Sequence, residues 1–359
     1  MYLVNFASAD GQAVLDHCDG VGASRRCAGF ILIENDFRGG GYRDLAEGLR
    51  TVVPHEIFHL VQHAYGAEDE PWWAEGTAQW AAKQVYPELQ DLERFLPAYF
   101  DNTWRPLNVP PGGVVAAFLY ATAIWPVFLN ERYGASTVRG VFEGLDSSAR
   151  GVLETTDVLL AGQGSSLGQA FLEFASYNAA TSARATSGQG YLDAPSYPSV
   201  QFEPFQAEAG ATVSDVVAGL GAFYYSVRVD APVQLELQAD PGRVAALVVP
   251  IDGMSVRLEA ARRLPTRVEG EAVIVVAGQS LSRTDAAFTL RAEPLEKPGS
   301  GGCSVSSRSR AGAAPVGTVL WLIGLLRSRA SGRRCRVGSQ SRLARSSTRA
   351  FRRALRCGS

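Results

Sequence analysis

The segment TVVPHEIFHLVQHAYG, residues 51–66, organises the reading of the whole chain. Thr51 can serve as an N-cap, and Pro54 then falls in the first helical turn, where its missing N–H costs no intrahelical bond. Gly66 suits the stop. These signals predict a helix over 51–65. At about 100° per residue, side chains four apart lie roughly 40° apart around a helix, so His55 and His59 share a face. Glu56 stands beside them. The chain has four histidines, His17, His55, His59 and His63, and three of them lie in this one segment.

A hydrolytic metal centre needs this combination: neutral imidazoles that converge on one ion and a carboxylate that can take a proton from water. Catalytic zinc uses three protein ligands and leaves a position open. His63 continues the four-residue series, but three successive turns of a straight helix cannot converge on one tetrahedral ion. A place behind the ligands or at the surface fits it better. The metzincin spacing would put glycine where Gln62 stands and histidine beyond position 63, so that class is excluded. Glu75, sixteen residues after His59 in WWAEGTAQW, is the candidate third ligand. It sits on a second predicted helix, 72–85, where the small Gly76, Thr77 and Ala78 permit close approach. Glu68, Asp69 and Glu70 read as solvated loop charges, and Trp72, Trp73 and Trp80 as core. Stabilising an oxyanion calls for a further donor. Tyr120 is the first choice and Tyr133 the second, with an ordinary core tyrosine as the other reading of each.

Charge narrows the partners. From Cys303 onward the chain holds 13 of its 34 basic residues and no acidic one, leaving 21 basic against 36 acidic residues in 1–302, a balance of −15. Such a body cannot neutralise a phosphate backbone, which excludes nucleic acid as a partner. Cys18 and Cys27 bracket a Gly-rich polar loop and suit a local disulfide, two free thiols being the alternative. The opening MYLVNFASADGQ lacks the basic start and apolar run of a signal peptide.

The chain organises as an α+β protein. A strand is predicted at 29–35 (GFILIEN), and further helices at 92–100, 114–133, 136–143, 150–160 and 167–180, all within a domain spanning 1–186. A connector covers 187–205. Short alternating runs (AFYYSVRV, VQLELQA, VAALVVPI, SVRLEAA, EAVIVVAG, AAFTLRAE) then predict a small β-sandwich over 206–295. A linker at 296–302 leads to Cys303, an apolar stretch at 311–326 and an Arg-rich end. That stretch is shorter than the about 20 residues of a membrane span, and a packing helix is the other reading.

HEIFHLVQHAYG followed by WWAEGTAQWAAKQVYP resembles the gluzincin-type metallopeptidases of myxobacteria and related bacteria. The likeness runs on through LYATAIWPVFLNERYG to AFLEFASYNAAT. It implies a zincin-like catalytic domain in which one Zn2+ per chain is held by His55, His59 and Glu75, and Glu56 is the catalytic base. It also implies that GFILIEN forms the sheet edge over the cleft, where an extended peptide could pair. GSGGCS, the apolar stretch and RSRASGRR resemble a MYXO-CTERM sorting signal over 303–336, although a basic tail at 337–359 exceeds that pattern. That resemblance implies export, C-terminal membrane anchoring and further sequence upstream of Met1. The function expected is therefore a secreted or cell-surface zinc endopeptidase acting on a protein or peptide substrate. The alternative is a surface-binding protein that keeps a zincin scaffold without turnover.

Overall fold

The computed structural model describes residues 1–20, 25–66, 70–111, 116–146, 150–281 and 284–295. The linker, the sorting segment, the basic tail and the loop residues Glu68 and Asp69 lie outside the described residues. All described residues belong to one compact unit. The fold is α+β.

The chain opens with three strands, β1 (Tyr2–Val4), β2 (Gly11–Asp19) and β3 (Arg26–Glu34), in the order β1-β3-β2. Cys18 and Cys27 face each other in the β2–β3 register and form a disulfide, with Cα atoms 4.0 Å apart. The expectation that GFILIEN forms a sheet edge is overturned. β3 lies in the middle, parallel to β1 and antiparallel to β2, and β1 and β2 are the edges. β1 accounts for this: it pairs with Leu32–Glu34 on the side of β3 away from its hairpin partner β2.

Helix α1 (Leu45–Tyr65) begins earlier than the sequence suggests. Asp44, not Thr51, is the N-cap, and its carboxylate accepts from the Glu47 N–H at 2.8 Å. Thr51 is buried and Pro54 lies inside the helix. An interior proline costs about 3 kcal/mol. The cap at Asp44 and the packing of Val52 with Ile31, Ile33 and Phe37 of the first sheet region offset it. At the other end Gly66 adopts φ +66°, and its N–H returns to the carbonyls of Gln62 and His63. This is the left-handed stop that glycine makes cheaply.

Next come α2 (Pro71–Val85), α3 (Asp91–Phe95) and α4 (Pro97–Phe100), the last two separated at Pro97 where one helix was expected. Another single expected helix also divides, into α5 (Ala116–Ala121) and α6 (Ile124–Tyr133). At the break, the Thr122 hydroxyl lies 2.6 Å from both the Trp72 and Leu119 carbonyls. Then follow α7 (Ala135–Asp146), α8 (Val152–Gly162) and α9 (Leu167–Ala179). Trp72, Trp73, Trp125, Phe128, Phe171 and Phe174 are all buried in the core that these helices share.

The second half is built from β4 (Glu203–Phe205), β5 (Thr212–Val217), β6 (Ala222–Ala239), β7 (Val244–Asp252), β8 (Ser255–Val256), β9 (Arg262–Arg263), β10 (Thr266–Gly278) and β11 (Ala286–Pro294). Their pairings connect in the order β5-β11-β6-β10-β7-β8, with β4 also on β6 and β9 on β7. Two expected runs, AFYYSVRV and VQLELQA, are one continuous strand, β6. SVRLEAA yields only the two-residue β8 and a 3-10 turn. Residues 272–278 of β10 are buried without a break because both faces are covered. Val273, Val275 and Ala277 pack with the helices, while Ala272, Ile274 and Val276 enter a core internal to the sheet. That alternation is the period of two inherent in a strand. Among the described residues no helix is long and apolar enough to cross a membrane.

Candidate metal centre

α1 and α2 bring to one point three side chains that could hold a metal ion. His55 Nε2 and His59 Nε2, one turn apart on α1, stand 3.1 Å from each other. Glu75 on α2 places Oε2 at 3.3 Å from the first and 3.5 Å from the second. A tetrahedral ion with bonds of about 2.0–2.1 Å holds its ligands roughly 3.3–3.4 Å apart, so the triangle has the size such an ion requires. Among the described residues, no other group of three His, Cys, Asp or Glu side chains is drawn together in this way.

Small side chains let α2 pack closely on its neighbours. A Cβ on Gly76 would fall 2.6 Å from the Thr122 hydroxyl, so Gly76 lets α2 close on the α5–α6 break. The close contact expected of Gly76 is therefore made with that break. It is Thr77 that meets α1, through Gln62. The Gln62 amide, 1% exposed, donates to the Ala74 carbonyl at 2.7 Å and to the Thr77 hydroxyl at 2.9 Å. Its Oε1 lies 2.8 Å from His59 Nδ1.

The electrostatics follow from these contacts. Burial pushes the Glu75 carboxyl up, but the His55 and His59 imidazoles beside it outweigh burial and hold the group at about 2. Burial lowers the His59 imidazole, yet the Glu75 carboxylate and Gln62 more than compensate and raise it. Glu56 behaves differently: burial raises its carboxyl, and the neighbouring imidazoles only partly reverse this. A buried carboxylate shifted upward is a better proton acceptor than one in water.

Glu56 lines a cleft of about 290 Å³ together with His55, Tyr120, Gly11, Asp91 and Arg94. The Tyr120 ring meets the His55 ring edge-on at 5.5 Å, and burial raises its phenol. Tyr133 is elsewhere: its hydroxyl pairs with Ser165 at 3.2 Å in a separate groove beside Arg132 and Glu173. His63 is outside the ligand group, and burial lowers its imidazole. His17 is exposed beside Asp19.

The comparisons with known proteins are negative. No protein family, curated protein or solved structure matches this chain.

Three features near the centre escape a reading of the sequence. Gln62 had a signal, since it lies three residues after His59 and so faces the same way. Gly11 had none: its contact with Glu56 joins two elements far apart in sequence. Glu70 was misread as a solvated charge. Its carboxylate accepts from the Trp72 indole N–H at 2.9 Å and from the Val152 N–H at 2.7 Å, the latter at the start of α8. A carboxylate at that position satisfies an orphan donor and complements the helix dipole.

Proposed function

We propose that this chain is a zinc-dependent peptidase of the gluzincin type, acting on proteins or peptides outside the cell or at its surface. The observation that carries the reading is the His55–His59–Glu75 triangle with the buried Glu56 carboxylate in the adjoining cleft. Two imidazoles and one carboxylate are a donor set that catalytic zinc uses, and a purely structural ion has no need of Glu56. When bound, zinc supplies a Lewis acid for the scissile carbonyl and makes water a better nucleophile at neutral pH. Glu56 accepts the proton of the attacking water and passes it to the leaving amine. Tyr120, across the cleft, is the donor proposed for the developing oxyanion. An extended substrate would pair with the edge strand β2, whose Gly11 lies against Glu56.

The finer architecture follows the same proposal: a zincin-like domain carrying the site and a β-sandwich accessory module. The internal core of the second sheet supports the module. The Cys18–Cys27 disulfide supports an oxidising compartment, in keeping with export and C-terminal anchoring.

Elemental analysis of the purified full chain beside Glu75→Ala and Glu56→Gln, with casein cleavage measured in parallel, tests this. About one zinc per wild-type chain is expected, with binding weakened by Glu75→Ala. Glu56→Gln should retain the metal and lose cleavage by at least about 10²-fold. Zinc without cleavage in the wild type would favour a surface-binding protein on a zincin scaffold. A folded chain that takes up no zinc would sink the proposal.

A further inference from the structure

We infer that Gln62 is a positioning residue for the metal centre: its buried amide selects the tautomer in which His59 Nε2 is free to ligate, and ties the helix bearing Glu75 to the helix bearing both histidines. The inference rests on the metal-binding reading above.

The direction of each hydrogen bond around Gln62 is forced. The Thr77 hydroxyl donates to the Trp73 carbonyl at 2.7 Å, so its oxygen is left to accept from Gln62 Nε2 at 2.9 Å. The Ala74 carbonyl, 2.7 Å from the same nitrogen, can only accept. The opposite amide orientation would set oxygen against carbonyl oxygen at that distance. Gln62 Oε1 must therefore face His59 Nδ1, 2.8 Å away, and only an Nδ1–H satisfies it. With the proton of the neutral imidazole on Nδ1, the lone pair is on Nε2, the atom that points at His55 Nε2 and Glu75 Oε2. A neutral imidazole free in water favours the other tautomer, which would block the ligating atom.

The same amide fixes distance. Its two acceptors, Ala74 and Thr77, flank Glu75 on α2, while Gln62 itself is on α1. Gln62, Thr77 and Ala74 are all buried, so water is poorly placed to substitute. Glutamine is suited to the task because it accepts and donates at once. Glutamate could accept from His59 but would face the Ala74 carbonyl with a second oxygen, and leucine would do neither.

The test is zinc affinity of the full chain, read by competition with a chromophoric chelator, with the visible spectrum of the cobalt-substituted protein and the melting temperature of the metal-free form. Gln62→Leu should bind zinc 10- to 100-fold more weakly and alter the cobalt spectrum. Gln62→Glu, which keeps the acceptor, should recover part of that affinity. Thr77→Val, which removes one of the two anchors, should weaken zinc by a smaller factor and serves if Gln62→Leu does not fold. Wild-type affinity in folded Gln62→Leu or, failing that variant, in Thr77→Val overturns the inference. So does an equal loss in Gln62→Glu and Gln62→Leu, because the acceptor to His59 would then be irrelevant. A wild-type chain that binds no metal defeats the underlying reading before any variant is compared.

Discussion

Gly11 on the edge strand β2 lies so close to Glu56 on α1 that a Cβ at position 11 would fall 2.7 Å from Glu56 Cγ and 2.9 Å from Oε1. Val52 Cγ1 would be nearer still, at 2.5 Å. Any side chain at position 11 must move the carboxylate, because Val52 is held in the core with Ile31 and Ile33. Gly11→Ala is therefore expected to lower kcat on the order of 10²-fold while zinc content stays near one per chain, since the ligands are untouched. Steady-state kinetics beside metal analysis checks this, and an alanine variant with unchanged kcat would remove Gly11 from the account.

The phenol of Tyr120 shares the cleft with Glu56. If it donates to the oxyanion, Tyr120→Phe should cost about 10²-fold in kcat and leave KM and zinc binding in place. A kcat within twofold of the wild type would return Tyr120 to the core residues.

Glu131 predicts a pH effect on stability away from the metal. Burial is the main cause that raises its carboxyl from 4.5 to about 7, with Asp193 adding to the rise and the Leu192 N–H and Lys83 opposing it. For an acid raised in the folded state the sign is fixed. Below about pH 4.5 the group is protonated in both states; as pH climbs toward 7 the unfolded chain ionises first, and stability falls. Glu131→Gln keeps an acceptor for the Leu192 N–H, 3.0 Å away, and cannot ionise. Its melting temperature should match the wild type near pH 4.5 and exceed it at pH 8. Equal differences at both pH values would contradict the assignment.

The Cys18–Cys27 bridge closes a short loop, and replacing both cysteines with serine should destabilise the fold by about 2–3 kcal/mol. Because the bridge holds the hairpin that carries the edge strand, and the ligands lie on α1 and α2, zinc affinity should change little while kcat/KM falls. Denaturant unfolding and chelator competition separate the two effects.

Residues whose relations are local were legible without coordinates. His55 and His59 share a face because helical geometry alone sets the angle between positions four apart. Gly66 ends α1 because the left-handed conformation is cheap for glycine. The Cys18–Cys27 pairing was one of two readings, since a short polar loop between cysteines permits it without demanding it. Local signals also misled. Thr51 looked like a cap because Pro54 followed it at the right spacing, yet the helix starts at the Asp44 cap, and its added first turns pack Gly48 on Phe37 and Leu49 on the cluster of Ile31 and Ile33.

The tertiary structure decided everything that joins distant segments. Spacing made Glu75 a candidate, but its place 3.3 Å from His55 exists only once α1 and α2 are packed together, joined beside it by Gln62, Ala74 and Thr77. Pairing of β1 with β3, which no single strand encodes, put β3 in the middle and left β2 at an edge. The Gln62 relay and the Gly11–Glu56 contact arise only once α1, α2 and β2 are packed together. The physical reason is the same in each case: helical periodicity, caps and turns are settled by neighbours along the chain, whereas ligand distances and proton positions are settled by packing between elements.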